Sequence, residues 1–158
     1  MDRKWPIATL GLLALCVLAY LWLSGGEPYV YPLDKLDFWG VSLRTPWGAL
    51  TYSFLHVGIK HLIGNALVIL GMGLVVERKL GSRHTLGIFL ASGIGAGIAY
   101  VFAHPNALVI GSSAAISGLL LAGYLVDVKK AFLVLAAALI LIPAFVYPGV
   151  NAGLDWLA

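Results

Sequence analysis

Apolar residues run along this chain in five long blocks, at about 7–23, 57–76, 85–103, 109–126 and 131–147. Each is roughly 17–20 residues long, near the length at which a helix rising about 1.5 Å per residue crosses about 30 Å of hydrocarbon. The pattern predicts five transmembrane helices in a single domain over residues 1–158. The first block follows Arg3 and Lys4 and competes with a cleaved signal peptide. It is longer than a signal core of roughly 7–15 residues, and Ser24-Gly25-Gly26 is a poor cleavage site, which favours a first span.

Between the first two blocks, Gly25, Gly26, Pro28, Pro32, Gly40 and Pro46 break any helix. Tyr29, Tyr31, Phe38, Trp39 and Trp47 are interleaved with them, and such rings prefer the membrane–water boundary. A loop on or partly in the interface is expected there. The later connectors are short: residues 77–84, His104-Pro105-Asn106, and Asp127-Val128-Lys129-Lys130. Gly93 and Gly97 form a Gly-x-x-x-Gly pair, and Gly111, Ala114 or Ala115, Gly118 and Ala122 recur every three or four positions. Both patterns read as faces for close helix approach.

Composition agrees with a polytopic membrane protein: 61% hydrophobic, 11% charged, mean hydropathy +0.95. The net charge of +3 is small, and the cations cluster in short loops, which suits topology and not nucleic-acid binding. Arg3, Lys4, Arg78, Lys79, Arg83, Lys129 and Lys130 fall on one side of the bilayer, and Lys35, Arg44 and Lys60 on the other. That bias puts the N-terminus in the cytoplasm, in a prokaryotic plasma membrane. Cys16 is the single cysteine, so no disulfide and no cysteine metal site is expected.

The charge-free stretch 107–126 nevertheless carries Ser112, Ser113 and Ser117. A buried hydroxyl without a partner costs roughly 1–3 kcal/mol. Ser113 stands in a Gly-x-Ser frame with Gly111, as a nucleophile would, although the same stretch also reads as a small-residue packing face. His61 and Asn65 are four apart and share a helix face, either as interhelical hydrogen-bonding groups or as functional ones. Depth discriminates. Counted up from Glu77, Asn65 lies at roughly 18 Å and His61 at roughly 24 Å; counted up from Asp127, Ser113 lies at roughly 21 Å. His56 comes out near the outer surface, at roughly 31 Å. The three polar groups thus fall at one level on two spans.

The frame His56-x4-His61-x3-Asn65, then Glu77-Arg78 with Leu80-Gly81-Ser82, then Gly111-x-Ser113, resembles the rhomboid intramembrane serine proteases. The resemblance covers about residues 39–126. It implies an all-α, rhomboid-like membrane bundle and an endopeptidase acting on transmembrane protein substrates within the lipid bilayer. By that match Ser113 is the nucleophile, and His61 and Asn65 stabilise the oxyanion together with the serine's own N–H. His56 and Gly111 have supporting roles, and Glu77 and Arg78 brace the inner end of the second span. Two positions depart from the family pattern: Gly48 stands where many members have Arg after Trp47, and Ala114 where many have Gly.

In the family the base is a histidine on a sixth span. The four histidines here, His56, His61, His84 and His104, include no good candidate, and no sixth apolar block follows residue 147. The segment 148–158 resembles the approach to that last span, so the chain is expected to stop just short of its base. An inactive rhomboid-like protein that binds transmembrane segments is the alternative. A transporter would want ionisable groups across the full bilayer, which the apolar inner halves of these spans do not supply. No metal or organic cofactor is implied.

Overall fold

A computed structural model describes residues 5–25, 27 and 33–146. Six α-helices are found among them: α1 (Ile7–Ser24), α2 (Leu33–Trp39), α3 (Ile59–Leu80), α4 (Ser82–Ala103), α5 (Ser113–Val126) and α6 (Val128–Val146). Two short 3-10 turns, Pro46–Leu50 and Tyr52–Phe54, precede α3. The fold is an all-α, rhomboid-like bundle, and α1, α3 and α4 are each long and apolar enough to cross a membrane. The chain is a membrane protein.

Helices α3 and α4 outrun their apolar blocks. The second block extends through Glu77, Arg78 and Lys79 to Leu80, because charged residues at a span's end interrupt hydropathy but not backbone hydrogen bonding. Gly81 alone makes the turn into α4, at φ +83°, with its N–H on the Glu77 carbonyl. Asp127 alone separates α5 from α6 and caps α6, its Oδ1 accepting the Lys130 N–H at 3.2 Å.

Two expectations need correction. The segment expected as a loop contains the seven-residue helix α2, because Pro32 and Gly40 bracket its residues and do not interrupt them. Likewise Pro46 begins a 3-10 turn, a position where its missing N–H costs nothing. Phe38 lies 5.7 Å from Trp47 and 5.0 Å from Trp39, ring centre to ring centre, and the Trp47 indole donates to the Phe38 carbonyl at 2.9 Å. A side chain at Gly48 would begin 2.0 Å from the Gly40 carbonyl oxygen, so the departure from the family pattern there reflects a backbone contact. Tyr29, Tyr31, Arg3, Lys4 and the segment 147–158 lie outside the described residues.

The second correction concerns α5. Its apolar block begins near residue 109, yet helix begins only at Ser113. Fourteen residues give about 21 Å, short of the hydrocarbon thickness of about 30 Å. Residues 109–112 are not helical: Val109 forms an isolated bridge, Gly111 takes φ +106° and Ser112 turns at φ −81°, ψ 1°, and such backbone is tolerated at membrane depth only where protein satisfies it. Here it is satisfied: Val109 exchanges both backbone hydrogen bonds with Val41, at 3.1 and 2.9 Å, and the Gly111 N–H donates to the Tyr52 carbonyl at 2.9 Å. The serine motif is thereby brought to the top of a short, central helix.

The core is built from one stripe of each long helix. Leu12, Cys16 and Tyr20 of α1 meet Leu62, Ile69, Met72 and Val76 of α3, Phe89 of α4, and Ala115, Ile116 and Leu119 of α5. The small-residue faces act unequally. Gly118 admits Ser92 of α4, whose Oγ lies 2.1 Å from where a side chain would begin. Gly93 faces Ala115 of α5, whereas Gly97 faces the Tyr52 ring of the preceding loop.

Candidate active site

The site lies where the non-helical segment 109–112 passes the first turns of α3. Gly111 has φ +106°, a conformation that L side chains rarely adopt. A methyl group there would lie 2.7 Å from His61 Cε1, 2.9 Å from His61 Nε2 and 3.9 Å from Asn65 Nδ2. The absent side chain is what lets the imidazole and the carboxamide close on this backbone. His61 and Asn65 present the same face of α3, one turn apart. The Asn65 Nδ2 group is sealed from solvent and has no hydrogen-bond partner among the described residues.

Ser113 opens α5 and is exposed. Among the described residues its hydroxyl makes no hydrogen bond; its carbonyl accepts the Ser117 hydroxyl at 3.0 Å. As the first residue of the helix it also carries an N–H that the helix itself leaves unbonded. The structure thus brings Gly111, His61 and Asn65 into contact, with Ser113 two residues along the backbone.

A second serine was not singled out by the sequence. Ser112 is 0% exposed, and its Oγ lies 3.2 Å from Nε2 of His56, which is 1% exposed. The other ring nitrogen, Nδ1, is 3.1 Å from the Phe54 carbonyl oxygen. A carbonyl only accepts, so Nδ1 carries the proton and the bare Nε2 accepts the Ser112 O–H. The cost of burying a hydroxyl was the available signal, since it demands a partner for Ser112. The His56 ring also stands edge-to-face against His61, with centroids 5.0 Å apart.

His56 lies in the loop before α3, outside the membrane-spanning helices. Burial, and then the charge of nearby His61, push it down to about 4 from its ordinary 6.5. In the unfolded chain it takes a proton at higher pH than in the fold, so this stability is present above 6.5 and is lost as pH falls towards 4. The full loss is about 3 kcal/mol. Thermal melts in detergent should show a midpoint falling across that window, and His56→Gln should flatten the fall.

The remaining histidines are elsewhere. His104 caps the C-terminal end of α4, its ring stacked on Tyr100 at 4.3 Å and its Nδ1 on the Tyr100 carbonyl. His84 sits in the first turn of α4, at the end away from Ser113, with Nδ1 on the Leu80 carbonyl at 2.8 Å. Among the described residues no group of three or more His, Cys, Asp or Glu side chains could hold a metal ion.

Near the C-terminal end of α3, Glu77 is 7% exposed. Its carboxylate accepts the Ala8 N–H at 2.9 Å, the Thr9 N–H at 2.8 Å, the Thr9 hydroxyl at 2.6 Å and the Ser82 hydroxyl at 2.6 Å. It therefore ties the first turn of α1 to the turn between α3 and α4. Arg78 beside it is exposed and forms no ion pair among the described residues, so the brace is the carboxylate's alone.

The Rhomboid domain model matches residues 43–156. The chain belongs to the rhomboid family. It is 46% identical over 76 residues to the Rhomboid protease GluP of Bacillus subtilis (strain 168), a match covering 47% of this chain and 14% of that one. It is 30% identical over 127 residues to the Putative rhomboid protease YdcA of the same organism, covering 74% of this chain and 60% of the relative. RHOMBOID-like protein 7 of Arabidopsis thaliana is 33% identical over 84 residues, covering 52% of this chain and 27% of the relative. The chain thus spans less than two thirds of each of these relatives. No solved structure matches it.

Proposed function

We propose that this rhomboid-family protein is an intramembrane serine endopeptidase that cleaves transmembrane proteins within the bilayer, with Ser113 as its nucleophile. The observation that carries this reading is Gly111, held against His61 and the unpartnered Asn65 amide two residues before an exposed serine. In the reaction Ser113 Oγ attacks a substrate carbonyl carbon and its proton passes to a base. The carbonyl oxygen, now negative, receives hydrogen bonds from Asn65 Nδ2, His61 Nε2 and the Ser113 N–H. Donors held ready in a low-dielectric site contribute about 3–4 kcal/mol each to such a transition state. The tetrahedral intermediate then expels the substrate amine, which takes the proton back from the base, and water, giving a proton to the same base, hydrolyses the remaining Ser113 ester to a carboxylic acid and the free serine.

The base is a histidine other than the four in this chain. His56 has both ring nitrogens engaged, His84 and His104 lie at the two ends of α4, and His61 faces Gly111. No cofactor takes part. The N-terminus and the α3–α4 and α5–α6 turns, with Arg78, Lys79, Arg83, Lys129 and Lys130, face the cytoplasm of a prokaryotic cell. The missing base also supports a second reading, an inactive family member that binds transmembrane segments without cutting them.

Both readings are tested in liposomes with a transmembrane substrate. The native protein should cleave, and Ser113→Ala should abolish cleavage and fluorophosphonate labelling while the melting midpoint stays unchanged. Cleavage that survives Ser113→Ala overturns the protease reading; substrate binding without cleavage by the native protein supports the inactive one.

A further inference from the structure

The Ser112–His56 pair is used by no step above, yet it adjoins the site on both sides. Ser112 lies between Gly111 and Ser113 in the chain, and His56 touches His61 in space. We propose that Ser112 is a positioning residue: its hydroxyl orients His56, and the edge of the His56 ring holds the His61 imidazole over Gly111. This rests on the reading of His61 as an oxyanion donor.

Three observations support it. First, the pair is sealed, at 0% and 1% exposure, so Ser112 is not placed to attack a substrate, and its hydroxyl serves the protein itself. Second, the hydrogen bonding of His56 is directional at both ends. The Phe54 carbonyl takes the Nδ1 proton and the Ser112 hydroxyl occupies Nε2, so rotation or flipping of the ring breaks at least one bond. Third, His61 has no hydrogen bond of its own among the described residues. Its half-buried ring is set by what it touches, the His56 ring on one side and the bare Gly111 backbone on the other. An imidazole turns about two side-chain torsions, and its wells are separated by little when nothing packs against it. A wall fixed by two hydrogen bonds removes that freedom before substrate arrives. This is the preorganisation that electrostatic catalysis requires.

The serine motif therefore has divided duties. Gly111 makes room for His61, Ser112 holds the wall behind it, and Ser113 is left free. The same hydroxyl also ties the non-helical segment to the loop before α3, alongside the backbone bonds to Val41 and Tyr52.

The test is nitrogen NMR of the histidine side chains in the detergent-solubilised chain, at a pH where both rings are neutral. Ser112→Ala removes the hydroxyl without touching His61. The expected result is a change in the tautomer signature of His56 together with shifted, broadened ring resonances of His61. His61 resonances that stay in place while those of His56 move overturn the proposal and leave Ser112 a local tie. Should Ser112→Ala fail to fold, His56→Gln serves: its amide oxygen still accepts from Ser112, but the ring edge is gone. His61 should again broaden, and an unchanged His61 overturns the proposal equally. In the native protein, Ser112→Ala should lower kcat by about 10-fold, as loss of a group orienting a functional imidazole does, with KM unchanged. The NMR readout does not need turnover. Failure of the protease reading would appear as a wild type that never cleaves, and failure of the positioning role as an undisturbed His61.

Discussion

Glu77→Ala should destabilise the protein by about 3–5 kcal/mol, the largest loss expected from any single side chain outside the hydrophobic core. The carboxylate satisfies two backbone N–H groups in the first turn of α1, which no intrahelical carbonyl can reach, and two hydroxyls, of Thr9 and Ser82. Its negative charge also sits at the positive end of the α1 dipole. Alanine would strand the buried Thr9 N–H and hydroxyl, at about 1–3 kcal/mol for each such group, and would take this acceptor from the part-buried Ala8 N–H and Ser82 hydroxyl, although the losses do not add fully. Glu77→Gln should fall between alanine and wild type, because its oxygen still accepts while its amide nitrogen faces donors. Thr9→Val should cost less than either, since the Thr9 N–H keeps its bond. Melting midpoints in detergent check the order Thr9→Val, Glu77→Gln, Glu77→Ala. A Glu77→Ala midpoint equal to wild type would show that α1 is held by its apolar face alone.

Gly111→Ala should have the second large effect, by two routes. A non-glycine residue at φ +106° carries strain of about 1–3 kcal/mol. The new methyl must also displace His61, whose Cε1 and Nε2 lie 2.7 and 2.9 Å from its position. The backbone cannot yield easily, because the Gly111 N–H is held by Tyr52 and its neighbours by Val41 and His56. The ring must therefore turn away. Under the proposed mechanism that removes an oxyanion donor, so turnover of the native protein should fall by about 100-fold or more. An unperturbed His61 spectrum in Gly111→Ala would contradict the geometry itself, whatever the activity.

Much of the architecture was legible in one dimension. Long apolar blocks define spans because a bilayer leaves backbone groups no partner except their own helix. The spacing of His61 and Asn65 put them on one face because a helix repeats every 3.6 residues or so. The close approach of α4 and α5 at Gly118 was visible as a small-residue repeat for the same reason. Hydropathy could not show where the fourth apolar block stops being helix. Val109–Val41 pairing and the Gly111–Tyr52 bond compete with helix formation there, and both partners come from a loop about 60 residues earlier.

The sequence by itself determined the membrane class, the number of apolar blocks and the family, with Gly111, Ser113, His61 and Asn65 as candidate groups. These follow from local periodicity and from motifs readable along the chain. Tertiary structure alone decided that α5 is short and begins at Ser113, that Glu77 caps a helix 68 residues away, and that Ser112 spends its hydroxyl on His56. The reason is common to all three. A buried hydrogen-bonding group must find a partner, but nothing in the chain order says which of several distant groups the packing will bring within 3 Å or so.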